Sequence, residues 1–233
     1  MSNSLTALQN SENKFTPATR IQESLIADAE KRTLTWLAHH TPARINSDHL
    51  TLLGFLAQCM AGICYALSRQ NPDMLIAGVV CLILNWLGDS LDGTLARIRN
   101  RQRPRYGFYV DHVTDTIGAL FLMGGLALSG YIHPAIAFGM LIAFLMLSVE
   151  TYLATYTLAR FHLSYWKFGP TEIRILLATG NIALLRYSVI KIFNHRILLF
   201  DLGGLIAIIG MTLMLLASTI RHTVQLYREE KLA

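Results

Sequence analysis

The chain has 233 residues, of which 53% are hydrophobic and only 15% charged, with a formal net charge of +5. Soluble domains carry about 25% charged residues, so this composition excludes a disordered chain, a disulfide scaffold, a coiled coil and a basic soluble nucleic-acid binder. The three cysteines (Cys59, Cys64, Cys81) lie in apolar stretches and read as small buried apolar residues, not as half-cystines or metal ligands.

The first 48 residues are polar, with no apolar core near Met1, so no cleavable signal peptide is expected. Within them, Ile21, Leu25, Ala29, Trp36 and Leu37 recur at roughly helical spacing, with Arg20, Glu23, Glu30, Lys31 and Arg32 between them. This pattern predicts an amphipathic helix over 18–40 lying in the membrane interface. An ordinary helix packed on a bundle fits the same pattern.

Six apolar segments follow, at 50–68, 74–98, 107–129, 134–159, 172–193 and 198–220. Each is long enough to cross ~30 Å of hydrocarbon as a helix. The breaks are Asn71-Pro72, the basic run from Ile98 to Tyr106, the turn from Gly130 to Pro134, Gly169-Pro170, and Asn194-His195-Arg196. The expected fold is therefore all-α and integral to the membrane, with six transmembrane helices. It divides into an N-terminal segment (1–48), a six-helix domain (49–221) and a tail (222–233). Lys and Arg crowd into the N-terminal flank, the loops after the second and fourth spans, and the tail. That bias places both termini on the cytoplasmic side of a bacterial inner or plasma membrane and accounts for the positive charge without nucleic acid.

The chemistry concentrates where the second span passes into the third. Asp89, Asp92, Asp111 and Asp115 all sit in or at the edge of apolar helices. A charged group in a membrane helix costs several kcal/mol and is by default a functional candidate. Asp89 and Asp92 are three residues apart, Asp111 and Asp115 four, so each pair shares a helix face. The two helices meet at the basic loop, which brings all four carboxylates within roughly 12 Å of one membrane face at ~1.5 Å per residue. Such a cage repels itself unless cations fill it. All-oxygen ligation suits Mg²⁺ or Mn²⁺. Gly93, Ala96 and Gly107 leave room beside the carboxylates. Arg97 and the loop arginines supply positive charge for phosphates.

These residues resemble the signature of the CDP-alcohol phosphatidyltransferases, D-x-x-D-G-x-x-A-R, a spacer, then G-x-x-x-D-x-x-x-D. Asp89, Asp92, Gly93, Ala96, Arg97, Gly107, Asp111 and Asp115 fill every fixed position. The resemblance implies transfer of a substituted phosphate from a CDP-linked donor to an alcohol, with release of CMP. It further implies that Asp89, Asp92 and Asp111 hold two divalent ions, that Asp115 touches the second ion and acts as general base, and that Gly93, Ala96, Arg97 and Gly107 line the nucleotide pocket. It also implies a homodimer, for which Gly203, Ala207 and Gly210 offer small residues in the last span.

Acceptor-binding candidates lie in the fifth span. Arg174 or Arg186 would bind an anionic phosphate, and Glu172 a hydroxyl or amine. Snorkelling to the interface is the alternative for Glu172 and Arg174. His112 turns away from Asp111 and reads as a packing residue, and His162 and His195 as loop residues. The resemblance to short six-span members of the CDP-alcohol phosphatidyltransferase family implies CDP-diacylglycerol as donor and a small polar alcohol as acceptor. Glu150-Thr151-Tyr152 and Gly169-Pro170-Thr171-Glu172 resemble, more weakly, the choline and ethanolamine phosphotransferases, which join CDP-choline or CDP-ethanolamine to diacylglycerol. A divalent-cation transporter is the competing reading from another class. It would place its polar groups near the midplane, whereas these cluster at one end.

Overall fold

The computed structural model describes residues 19–21, 27–158, 160–162, 170–192 and 195–230. Among them the chain is mostly helical: α1 (Ala27–His40), α2 (Ser47–Ser68), α3 (Met74–Ile98), α4 (Pro104–Leu128), α5 (Pro134–Leu158), α6 (Pro170–Leu184) and α7 (Leu199–Glu229). Two short strand pairs accompany them. Strand β1 (Thr19–Ile21) runs parallel to β2 (Arg160–His162), and β3 (Val189–Ile192) antiparallel to β4 (His195–Leu198).

Four of these helices, α2, α3, α5 and α7, are long and apolar enough to cross a membrane. Helix α4 has the length, at 25 residues, but Asp111, His112 and Asp115 dilute its first half. Helix α6 has only 15 residues, short of the ~20 a perpendicular span requires. The expected fifth helical span over 172–193 is thereby corrected. The helix stops at Leu184, and the β-branched run Val189, Ile190 and Ile192 pairs as a strand with His195–Leu198. His195 and His162 accordingly lie in strands, not loops.

The ends of the helices follow from local chemistry. Asn100 adopts a left-handed φ of 53° just after α3. Its amide donates to the Arg97 carbonyl, and the Arg101 amide reaches back to the Ala96 carbonyl at 2.9 Å. This closes the last turn in a Schellman pattern, and Asn tolerates the left-handed position. Pro104 then opens α4, where its missing N–H has no helical partner to lose. Gly130, at φ 78°, turns the chain between α4 and Pro134 at the start of α5.

A helix forms over Ala27–His40, and of the expected apolar positions Leu37 packs inward while others do not. Leu34, Ala38 and Glu30 are buried, while Trp36 is 60% exposed and Ala29 is also exposed. Ile21 falls in β1, and Leu25 lies outside the described residues. Leu34 and Ala38 pack with Leu50, Leu91 and Leu95. Helix α1 is thus docked along the Ile98 end of α3. A larger core joins Ala61 and Tyr65 of α2, Leu75 and Leu82 of α3, and Leu122 and Leu126 of α4. Large apolar residues on α7, including Ile206, Ile209 and Leu213, are about 60% exposed, as lipid-facing residues are. Burial against neighbours gains little over burial in lipid, so such helices associate by close packing and polar contacts. Both are found at the crossings of α2.

Candidate active site

Helix α2 is the platform. At one crossing it meets α3 glycine to glycine: a Cβ on Gly88 would strike the backbone of Gly54. At the other, a Cβ on Gly125 of α4 would strike the backbone of Gly62. Only glycine permits backbones this close. Asn85 of α3 fastens the first crossing by donating its Nδ2 to the Gly54 carbonyl at 3.0 Å. With both helices laid against α2, the polar end of α3 faces the polar start of α4.

Three carboxylates meet there. Asp89 of α3 and Asp111 and Asp115 of α4 each present an oxygen, and these oxygens lie within 4.8 Å of one another. Asp92 differs from the four-carboxylate expectation, because it lies outside this group. Its Oδ2 accepts from Thr51 Oγ1 of α2 at 2.5 Å, its Oδ1 accepts from the Gly93 amide, and its carbonyl accepts from Ser47 Oγ at 3.0 Å. Asp92 shares the broad face of Asp89, but Thr51 holds its carboxylate to the α2 side. A small cavity between the three helices is lined by Thr51, Gly54, Gln58, Asn85, Asp89 and Asp115.

The remaining motif residues flank the cluster. Arg97 donates to Thr94 Oγ1 at 3.0 Å, and its Nη1 lies 3.4 Å from where a Gly93 Cβ would sit. Ala96 lines a groove of about 390 Å³ together with Ser47, Asp48, Arg99, Arg101 and Arg103. Arg103 pairs with Asp48 and lies over the Tyr106 ring at 4.1 Å. Gly107 has open space around it, with no atom within 4 Å of where a Cβ would sit. His112 stacks on Phe108 at 4.1 Å and meets Tyr152 of α5 edge-on at 4.8 Å, but it does not turn away from Asp111, since its Nδ1 lies 3.6 Å from Asp111 Oδ2.

Of the acceptor candidates, the structure brings one to the cluster. Arg174 of α6 donates from Nη2 to Asp89 Oδ2 at 2.6 Å and from Nε to Asn85 Oδ1 at 2.7 Å. Glu172 falls on the same first turns of α6. Arg186 does not join them. It is exposed beyond the opposite end of α6, about 15 Å or more away at ~1.5 Å per residue. Sequence reasoning missed Asn85 and Thr51. Asn85 carried a readable signal, since it precedes Asp89 by four residues in an apolar helix and so shares its face. Thr51 carried none.

The donor set fits a divalent cation. Three acidic oxygens from two helices make an all-oxygen site, and 4.8 Å is close to the ~4.2 Å spanning opposite ligands around Mg²⁺. The family model for CDP-alcohol phosphatidyltransferase matches residues 45–222. The chain belongs to that family. Membership makes this CDP-alcohol phosphatidyltransferase a membrane transferase of phosphate groups in phospholipid synthesis, in a family that uses divalent metals. A search of curated proteins finds no match.

Proposed function

We propose that the protein moves a substituted phosphate from CDP-diacylglycerol to the hydroxyl of a small polar alcohol, releasing CMP. The observation that carries this reading is the convergence of Asp89, Asp111 and Asp115, with Arg174 against Asp89. The Asp115 carboxylate takes the proton of the acceptor hydroxyl. The acceptor oxygen bonds to the phosphorus that bears the diacylglycerol, the bond from that phosphorus to the bridging oxygen breaks, and its electron pair leaves with CMP. Asp89, Asp111 and Asp115, with Asp92 beside them, hold Mg²⁺ or Mn²⁺. Two such ions supply neutralisation of the pyrophosphate and of the leaving group.

Gly93, Ala96, Arg97 and Gly107 take the nucleotide, supported by the open space at Gly107 and the arginine-lined groove beside Ala96. Arg174 offers positive charge beside the cluster for an anionic group of the acceptor, and Glu172 a contact to its hydroxyl or amine. Arg186 is left out of the site by its position. In the bilayer, α4 joins the four apolar helices, and α6 completes six crossings as a short helix in a locally thinned bilayer, its hairpin lying at the membrane surface. The basic residues orient the acid cluster to the cytoplasm, with both termini on that side. Open faces at Gly203 and Gly210 of α7 support a homodimer.

The test is incubation of purified protein with CDP-diacylglycerol, and separately with CDP-choline plus diacylglycerol, against a panel of alcohols. Product lipids are read by mass spectrometry. CMP release with a new phospholipid from the first donor supports the proposal. Product from CDP-choline alone transfers the assignment to the choline and ethanolamine class, and no product from either donor refutes both.

A further inference from the structure

The N-terminal helix reaches the Arg174 contact from the opposite side. Glu30 of α1 is buried, and its Oε1 accepts three hydrogen bonds. Trp86 Nε1 donates at 2.9 Å and Ser90 Oγ at 3.4 Å, both from α3, and Thr171 Oγ1 donates at 2.8 Å from the first turn of α6. The other oxygen, Oε2, is buried without a hydrogen-bond partner. A carboxylate buried on the packed face of an amphipathic helix is costly, and the cost is offset only by such donors. The arrangement therefore calls for a role.

The register supplies one. Trp86 and Ser90 each stand one residue beyond Asn85 and Asp89, the two groups that receive Arg174. Thr171 and Arg174 are three apart and share a face of α6. A single seating of α6 on α3 thus satisfies Thr171 with Glu30 and Arg174 with Asn85 and Asp89. Helix α1 is held at both ends, by Glu30 near its start and by Arg99 just past its finish. At the far end, Arg99 donates to the Thr41, Pro42 and Ile45 carbonyls at 2.8, 3.0 and 2.5 Å. The other end of α6 is anchored independently, by Tyr65 donating to Asn181 at 2.9 Å. The first turn is the part that Glu30 governs.

We infer that Glu30 is a positioning residue that seats the first turn of α6 through Thr171, aiming Arg174 at Asp89 and coupling the N-terminal helix to the acid cluster. Its consequence for turnover rests on the proposed function, while its consequence for the seating of α6 does not.

Two measurements on the full chain in detergent test this. In hydrogen exchange, Glu30→Ala raises exchange in the first turns of α6 and leaves the Gly54–Gly88 crossing at wild-type protection. Unchanged exchange at α6, or a rise throughout the helices, overturns the inference. In steady-state assays, Glu30→Ala lowers kcat/KM about tenfold, chiefly through the acceptor KM. Glu30→Gln, which keeps the Oε1 acceptor, recovers most of the loss, and Thr171→Val reproduces it. In an Arg174→Ala background, Glu30→Ala costs less than twofold more, because residues acting through one contact are not additive. A full tenfold further loss there means that Glu30 does not act through Arg174. A wild-type protein that releases no CMP counts against the transferase reading, and the exchange experiment then decides the seating of α6 by itself.

Discussion

The Arg174 guanidinium lies 2.6 Å from the Asp89 carboxylate, joining α6 to the acid cluster of α3 and α4. A second bond, from Nε to Asn85 at 2.7 Å, fixes the plane of the fork. Lysine keeps the charge but cannot serve both partners. Hydrogen bonds to charged groups are worth about 1.5–3 kcal/mol, so Arg174→Ala lowers kcat/KM by about ten- to a hundredfold. Arg174→Lys falls close to the alanine value. A lysine variant near wild type shows that charge alone suffices and that the Asn85 bond is dispensable.

Asp115 faces Asp89 of α3 across the gap between the two helices and stands one turn from Asp111 on its own helix. In the proposed mechanism it is the general base, so its loss bears on proton transfer more than on donor affinity. Asp115→Asn therefore binds the CDP-linked donor within a few-fold of wild type and loses about 10²–10⁴ in turnover. Release of radiolabelled CMP at a wild-type rate in this variant removes Asp115 from the base role.

Three clustered carboxylates with one arginine paired to Asp89 retain an excess of negative charge, which a divalent cation would relieve. EDTA abolishes CMP release, and Mg²⁺ or Mn²⁺ restores it, while Zn²⁺ restores it poorly. The same ions raise the midpoint of thermal unfolding, since a ligand bound only by the folded chain stabilises it. Full turnover in chelator contradicts the metal site.

How far the sequence foretold this arrangement differs from element to element. The acid cluster was legible because carboxylates in apolar helices have few roles and their spacing places them on shared faces. The turn at Gly130 was legible because glycine adopts a left-handed φ freely, whereas the left-handed Asn100 was hidden within the basic run. The turn of Asp92 toward Thr51 was not, because it depends on which residue of α2 lies opposite, and the Gly54–Gly88 crossing decides that. Glu30 misled for a related reason. Charged residues lie between the apolar positions of any amphipathic helix, and only donors from α3 and α6 make one of them a buried partner. The end of α6 at Leu184 was hidden because an apolar run of β-branched residues fits a buried strand as well as a helix.

Two glycines of the same stretch separate folding from catalysis. At Gly88 a Cβ would meet the Gly54 backbone and the Leu50 carbonyl, which cannot move without unpacking α2 from α3. Gly88→Ala therefore destabilises the protein by about 1–3 kcal/mol through overpacking, seen as a lower thermal midpoint in detergent. At Gly107 a Cβ meets nothing within 4 Å, and alanine in a helix interior gains roughly 0.5–1 kcal/mol over glycine. Gly107→Ala is thus as stable as wild type or more so. In the proposed site that open space takes the nucleotide and the methyl group would intrude on it, so the expected outcome is a KM for the CDP-linked donor about tenfold higher, equivalent to ~1.4 kcal/mol of binding. An unchanged donor KM in a well-folded Gly107→Ala protein places the cytidine elsewhere, and the groove beside Ala96 then becomes the region to probe.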